Sequence, residues 1–262
     1  MDAAASRSFS PVEFQQALQT VAVGRYLVHR SSTESTMALA RREADEGAPH
    51  GTLVLAEEQT AGRGRRGRSF FSPPGENLYF TLVLRLPVEV HSHLPIAIPV
   101  AICEAVAAEG VAARIKWPND IWVAERKVSG MLVDAELTPE GAVAMPGIGI
   151  NVNGDPALNP ELRDIATSLA RELGRHVERE RLLARVCNRL EPLLTASPER
   201  LVERYRELSM VIGRNITVQP LSGAAYDATA TGIEPDGSLR ITRPNGEVEC
   251  ILAADVSIRP RI

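Results

Sequence analysis

Between positions 61 and 71 the chain reads AGRGRRGRSFF, with four arginines and three glycines in the seven positions from Gly62 to Arg68. Glycine lets a backbone approach a ligand closely and turn its N–H groups toward an anion. Guanidinium groups supply charge and bidentate geometry for phosphate or carboxylate. Gly62, Gly67, Arg68 and Ser69 come near the phosphate-loop pattern, with arginine in the lysine position. A true phosphate loop leads into a helix whose N-terminus holds the phosphates. Here the continuation FFSPPGENLYFTLVL must be loop and then strand, so that pattern fails on context. Taken alone, the tract leaves a solvated basic loop and an anion-binding loop equally open.

Three further motifs carry groups suited to chemistry. KWPND, Lys116 to Asp120, puts a cation, a turn-setting proline and two polar side chains at a strand end. KVSGML follows, with Lys127 at the start of a strand that contains Gly130. GIGINVN then places Gly147, Gly149 and Asn151 at the end of another strand. Each has an ordinary structural reading by itself: a turn, a surface lysine, a pair of bulges.

These groups need elements to hold them. SPVEFQQAL predicts a short helix with Ser10 as cap, Pro11 in its first turn and Glu13 completing a capping box. STESTMALARREADEG predicts a second, starting near Thr33 and stopping at Gly47. GTLVLAEEQ is strand-like, and NLYFTLVLRL is the apolar run of a strand buried on both faces. LPIAIPVAICEAVAAEG suits a buried helix. AARIKW, DIWVA, KVSGMLVDAEL and AVAMPGIGINVN read as strands with hairpin turns at AERK and LTPEGA. RDIATSLARELG, ERERLLARVCNRLEPLL and the segment opened by Ser197 and Pro198 read as helices. From about Gly213 short alternating strands with Asp236-Gly237 and Asn245-Gly246 turns predict a small β-barrel appended to a mixed α/β domain.

Composition narrows the classes. The chain has 262 residues, 44% of them hydrophobic and 24% charged, as expected of a globular protein with a real core. A net charge of -4 argues against a dedicated nucleic-acid binder. Cys103, Cys187 and Cys250 are scattered, without a C-x-x-C, so neither a disulfide framework nor a zinc site is expected. No signal-peptide pattern opens the chain, and Leu94 to Ala108 is too short and interrupted to span a bilayer. A cytoplasmic location without membrane partners is the expectation.

In their order, SST at Ser31 to Thr33, EEQTAGRGRRGR, KWPND and KVSGML make the chain resemble the biotin–protein ligases from about residue 28 onward. The resemblance implies an α/β fold: a central mixed β-sheet flanked by helices, class II aminoacyl-tRNA-synthetase-like, with a small C-terminal SH3-like β-barrel. It implies a catalytic domain over residues 1–212, including a short helical extension over 1–27, and a barrel over 213–262. It also implies a two-step reaction in which biotin and ATP give biotinyl-5'-AMP, and a lysine of a biotin carboxyl carrier domain then takes the biotinyl group. Mg2+ would accompany ATP, with no dedicated metal site.

By position, the resemblance makes Ser32, Thr33 and Gln59 polar contacts to biotin, with Gly62 and Arg63 closing over it. Arg65, Arg66 and Arg68 would face phosphate, Arg65 retaining the adenylate. Lys127 would lie beside the biotin carboxyl and α-phosphate. Lys116, Asn119 and Asp120 would lie near the nucleotide, with Asp120 orienting the incoming amine. Gly130, Gly149 and Asn151 would contact biotin and adenylate. Phe70 would pack near the adenine, or equally serve as core of the next strand. Glu34 departs from the Asn or Gln that many family members carry after Ser-Thr; it reads either as a first-turn helix residue or as a change in the biotin contact that would displace Ser32 and Thr33 from it. Only about 30 residues precede Ser31, so no DNA-binding module and no repressor role are expected; a monomer or a homodimer both fit. A lipoate or octanoate ligase is the enzymatic alternative, and a nucleic-acid-binding protein using the Arg-Gly loop is the non-enzymatic one.

Overall fold

A computed structural model of the chain describes residues 8–67, 69–252 and 254–258, and of Arg66 the backbone alone. Helix α1 (Pro11–Ala17) starts at Ser10, whose Oγ accepts from the Glu13 N–H at 3.3 Å. The capping box does not close on Glu13, because the Ser10 N–H donates instead to Glu180 Oε1, 2.8 Å away on a later helix. Strand β1 (Leu27–Arg30) leads to α2 (Thr36–Asp45), which begins three residues later than the sequence pattern suggests. The delay has a backbone cause: Thr33 N–H donates to Glu58 O and Thr60 N–H to Thr33 O, so residues up to Thr33 stay extended beside the start of the basic loop.

Strands β2 (Thr52–Ala56) and β3 (Leu78–Leu86) flank that loop, and short α3 (Val88–His91) leads into α4 (Leu94–Ala107). Strands β4 (Arg114–Lys116), β5 (Asp120–Val123), β6 (Arg126–Thr138) and β7 (Gly141–Ile150) follow. They form a seven-stranded mixed sheet in the order β1-β2-β3-β7-β6-β5-β4, parallel between β1 and β2 and antiparallel elsewhere. Alternation along β3 sends Leu78, Phe80, Leu82, Leu84 and Leu86 into the main core, shared with α1, α4, α6 (Arg179–Leu193) and α7 (Pro198–Leu208). On the other face α2 covers only a small cluster of Val28, Leu39, Ala40, Ala44, Val54, Val83 and Met145.

Helix α5 is shorter than RDIATSLARELG suggests, running only Leu169–Leu173. Its expected first turns are used elsewhere: Lys127 N–H donates to Ile165 O and Thr167 N–H to Lys127 O, which lays this segment along β6. At the C-terminal end, β8 (Asn215–Pro220), β9 (Tyr226–Ile233), β10 (Leu239–Thr242), β11 (Val248–Ile251) and β12 (Ala254–Ile258) form an antiparallel sheet in the order β11-β10-β9-β8-β12. This matches the fold class expected. Its inner residues, among them Ile216, Val218, Ile241 and Val256, continue the main core. Trp117 of KWPND is buried and donates from Nε1 to Gly237 O at 2.9 Å, tying the two sheets together. Among the described residues no helix is long and apolar enough to cross a membrane.

Candidate active site

A cavity of about 680 Å3 opens on the sheet face opposite α4 and α6, within the usual range for small-molecule sites. Its floor is made by missing side chains. Gly130 pairs with Gly149 across β6 and β7, and Gly147 follows on the same face. A Cβ on Gly149 would stand 2.3 Å from the Phe70 ring, and one on Gly147 2.6 Å from Met37. The tip of the Phe70 ring thus stands against the glycine floor; Phe70 lines the cavity, belongs to neither core cluster and meets Tyr79 edge-on at 6.2 Å. Gly62 sits behind this wall, where a Cβ would meet Phe70 O at 2.6 Å.

The walls bring together groups far apart in the chain. Arg63, Arg65, Lys116, Asn119, Asp120, Lys127 and Asn151 all line the cavity. Lys127 Nζ lies 2.6 Å from Asp120 Oδ1, and Lys116 is directly opposite Asp120 across β4 and β5. Burial pushes the Lys116 amine below its ordinary pKa; Lys127 adds to that, against the opposing pull of Asp120 and Asp255. Asn119 is held by Nδ2 donating to Met131 O at 2.6 Å, and Asn151 by Nδ2 donating to Thr167 O at 3.1 Å. Arg68 and the side chain of Arg66 lie outside the described residues.

The placement of Ser32 and Thr33 differs from expectation. Ser32 is exposed and neither lines the cavity; the Ser-Thr pair that does is Ser35-Thr36. Gln59 explains why. Its Oε1 accepts from Thr36 N and Thr36 Oγ1 at 2.9 and 3.1 Å, and its Nε2 donates to Ser72 Oγ at 3.1 Å, so Gln59 caps α2 from the cavity wall. Glu34 is therefore an exposed residue ahead of the helix, not part of its first turn, and the residue after the inward Ser-Thr is Met37. Other lining residues escaped sequence reasoning. Leu162, Ile165 and Ala166 come from the segment at and just before the stretch that reads as helix, and Trp122 alternates with Asp120 along β5. Asp255 arrives from β12 and receives Arg65 NH1 at 3.1 Å, while the Ala254 carbonyl accepts from the same guanidinium.

The base of the basic loop is fixed from the core side. Arg179 donates to Glu57 Oε2 at 2.7 Å and to Asn77 O at 3.1 Å, joining the two ends of the loop. Glu57 Oε1 also accepts from Phe9 N–H at 2.7 Å and faces His29 Nε2 at 3.2 Å. Burial alone would raise the Glu57 pKa, but the bond from Arg179, the Phe9 N–H and the charges of Arg179 and His29 outweigh it and hold the carboxyl below its ordinary value.

Comparison with known proteins accords with this arrangement. Residues 29–153 match the model of the biotin/lipoate A/B protein ligase family. The bifunctional ligase/repressor BirA of Bacillus subtilis is 32% identical over 258 residues, covering 95% of this chain and 79% of that protein. The biotin–[acetyl-CoA-carboxylase] ligase of Mycobacterium tuberculosis is 30% identical over 239 residues, 86% of each chain. The solved biotin protein ligase of Aquifex aeolicus in complex with biotin and ATP superposes with a TM-score of 0.73 at 26% identity, covering 90% of this chain and all of that one. The chain belongs to the biotin/lipoate A/B protein ligase family.

Proposed function

We propose that this chain is an ATP-dependent biotin–protein ligase. The observation that carries the reading is convergence: Arg63 and Arg65 of the basic loop, Lys116 and Lys127, from three separate segments, face one glycine-floored cavity, where an anionic nucleotide and a compact bicyclic acid can lie together. A carboxylate oxygen of biotin attacks the α-phosphorus of ATP, the bond to the bridging oxygen breaks, and pyrophosphate leaves. Lys127 offsets the charge on the reacting carboxylate and phosphate, and the arginines hold the resulting adenylate, Arg65 above all. The amine of a lysine on a carboxylase carrier domain then attacks the acyl carbon, forming the amide and releasing AMP, with Asp120 accepting a hydrogen bond from that amine. Ser35, Thr36 and Gln59 form the polar wall for the biotin ring in place of Ser32 and Thr33. Phe70 and Asn151 serve the nucleotide. Mg2+ enters as part of the substrate, chelated by the triphosphate and water. Residues 1–212 form the catalytic unit and 213–262 the C-terminal one.

Biotin-dependent exchange of pyrophosphate into ATP tests the reading. Exchange with biotin is expected; exchange with octanoate or lipoate but not biotin would make the chain a lipoate-type ligase. No exchange with any acid, together with steeply salt-dependent RNA binding, would make it a nucleic-acid binder.

A further inference from the structure

Of the chain's 29 lysines and arginines, only Lys116 and Lys127 are lysines, and both line the cavity. On the function proposed above, that cavity holds a mixed anhydride that acylates a free amine within reach. The two resident amines therefore compete with the carrier lysine for the same acyl group. Lys127 is occupied by its ion pair with Asp120, at 2.6 Å. Lys116 has a different keeper: its Nζ stands 4.0 Å from the centroid of the Trp122 ring. Trp122 lies two residues beyond Asp120 on β5 and lines the same cavity. An indole face attracts an ammonium through its quadrupole and gives a neutral amine no comparable attraction. The ring thus both parks Nζ and favours its unreactive form, at a half-buried lysine whose pKa burial pulls below its ordinary value against the opposing charges of Asp120 and Asp255.

We propose that Trp122 is a positioning residue that keeps the enzyme from acylating itself, and that Lys116 is the self-modification site its ring protects. Without the ring, free-base Lys116 Nζ attacks the acyl carbon of biotinyl-AMP. A C–N bond forms, the C–O bond to phosphate breaks, AMP leaves with the electron pair, and the Nζ proton passes to Asp120 or water. The product is a neutral amide inside the cavity, so each such event removes an active enzyme.

The test supplies preformed biotinyl-AMP to the full chain without carrier and locates the added acyl mass by peptide mass spectrometry. Trp122→Leu should carry at least about tenfold more acyl group on Lys116 than the unaltered chain, by the loss of the cation–π contact. Trp122→Phe, which keeps a ring, should return labelling toward the unaltered level, and Trp122→Leu with Lys116→Arg should abolish it. Equal labelling of Lys116 with and without the ring, labelling of Trp122→Phe equal to that of Trp122→Leu, or label on Lys127 instead would overturn the proposal. Should Trp122→Leu fail to fold, Trp122→Met replaces it. Because the adenylate is supplied, failure of the unaltered chain to exchange pyrophosphate would count against the proposed function and not against Trp122.

Discussion

On the helix-covered face of the seven-stranded sheet, β3 presents Leu78, Phe80, Leu82 and Leu84, all fully buried. On the opposite face its neighbour β7 presents Gly147 and Gly149, and the volume their side chains would fill is occupied by Met37 and the Phe70 ring. One sheet thus separates two tasks. Large side chains on one side contribute the burial that stabilises the fold, while missing side chains on the other let Met37, Phe70 and Lys127 lie close against the sheet as lining of the cavity. Charge divides likewise: Lys116, Lys127 and Asp120 gather on the open side, and Arg179 with Glu57 marks where the basic loop is anchored toward the core.

Substitutions on the two faces should therefore separate stability from activity. Leu82→Ala should cost about 2–5 kcal/mol of stability, measured by urea unfolding, and leave biotin affinity unchanged under conditions where the variant is folded. Lys127→Ala should reverse that profile, slowing adenylate formation by about 10²–10³-fold with the unfolding midpoint little moved. If it slowed only transfer to the carrier, Lys127 would have no role at the first step. Gly149→Ala tests the floor itself. Overpacking against Phe70 should cost about 1–3 kcal/mol and raise the KM for ATP, and an unchanged KM would remove Phe70 from the nucleotide site.

The smallest effect concerns Glu57. Its folded pKa lies below the ordinary value of 4.5, so the carboxylate contributes stability that is present above that pH and lost as pH falls through the lower folded value. Glu57→Gln should lower stability near neutral pH and flatten its acid limb below about pH 4.5 relative to the unaltered chain. An acid limb of unchanged slope would show that other carboxylates govern it.

How much of this was legible in the sequence depended on the range of the cause. Short apolar strand runs placed the basic loop between β2 and β3 and put KWPND at the turn from β4 to β5, because those signals are local. Ser32-Thr33 and Ser35-Thr36 lie three residues apart and look alike as helix-opening pairs. Only the pairing of Thr33 with Gln59, made across the fold, turns the second pair inward. The segment around Ile165 reads as helix by its own propensities and is overridden by its bonds to Lys127. Asp255 gave no warning, since nothing in an alternating strand marks a carboxylate that will meet an arginine 190 positions earlier.

That last contact has a consequence for the chain during its synthesis. Arg65 leaves the ribosome 190 residues before Asp255, an interval of roughly 10–40 s at ordinary elongation rates. The central sheet is complete only at Ile150 and the cavity lining runs on to Ala166, so the pocket can close late in that interval, while the strand that grips the loop has not yet been made. A nascent chain that has passed Ala166 but not Asp255 has the pocket without the clasp, so on the function proposed above the capacity to retain a reactive intermediate is among the last to be completed.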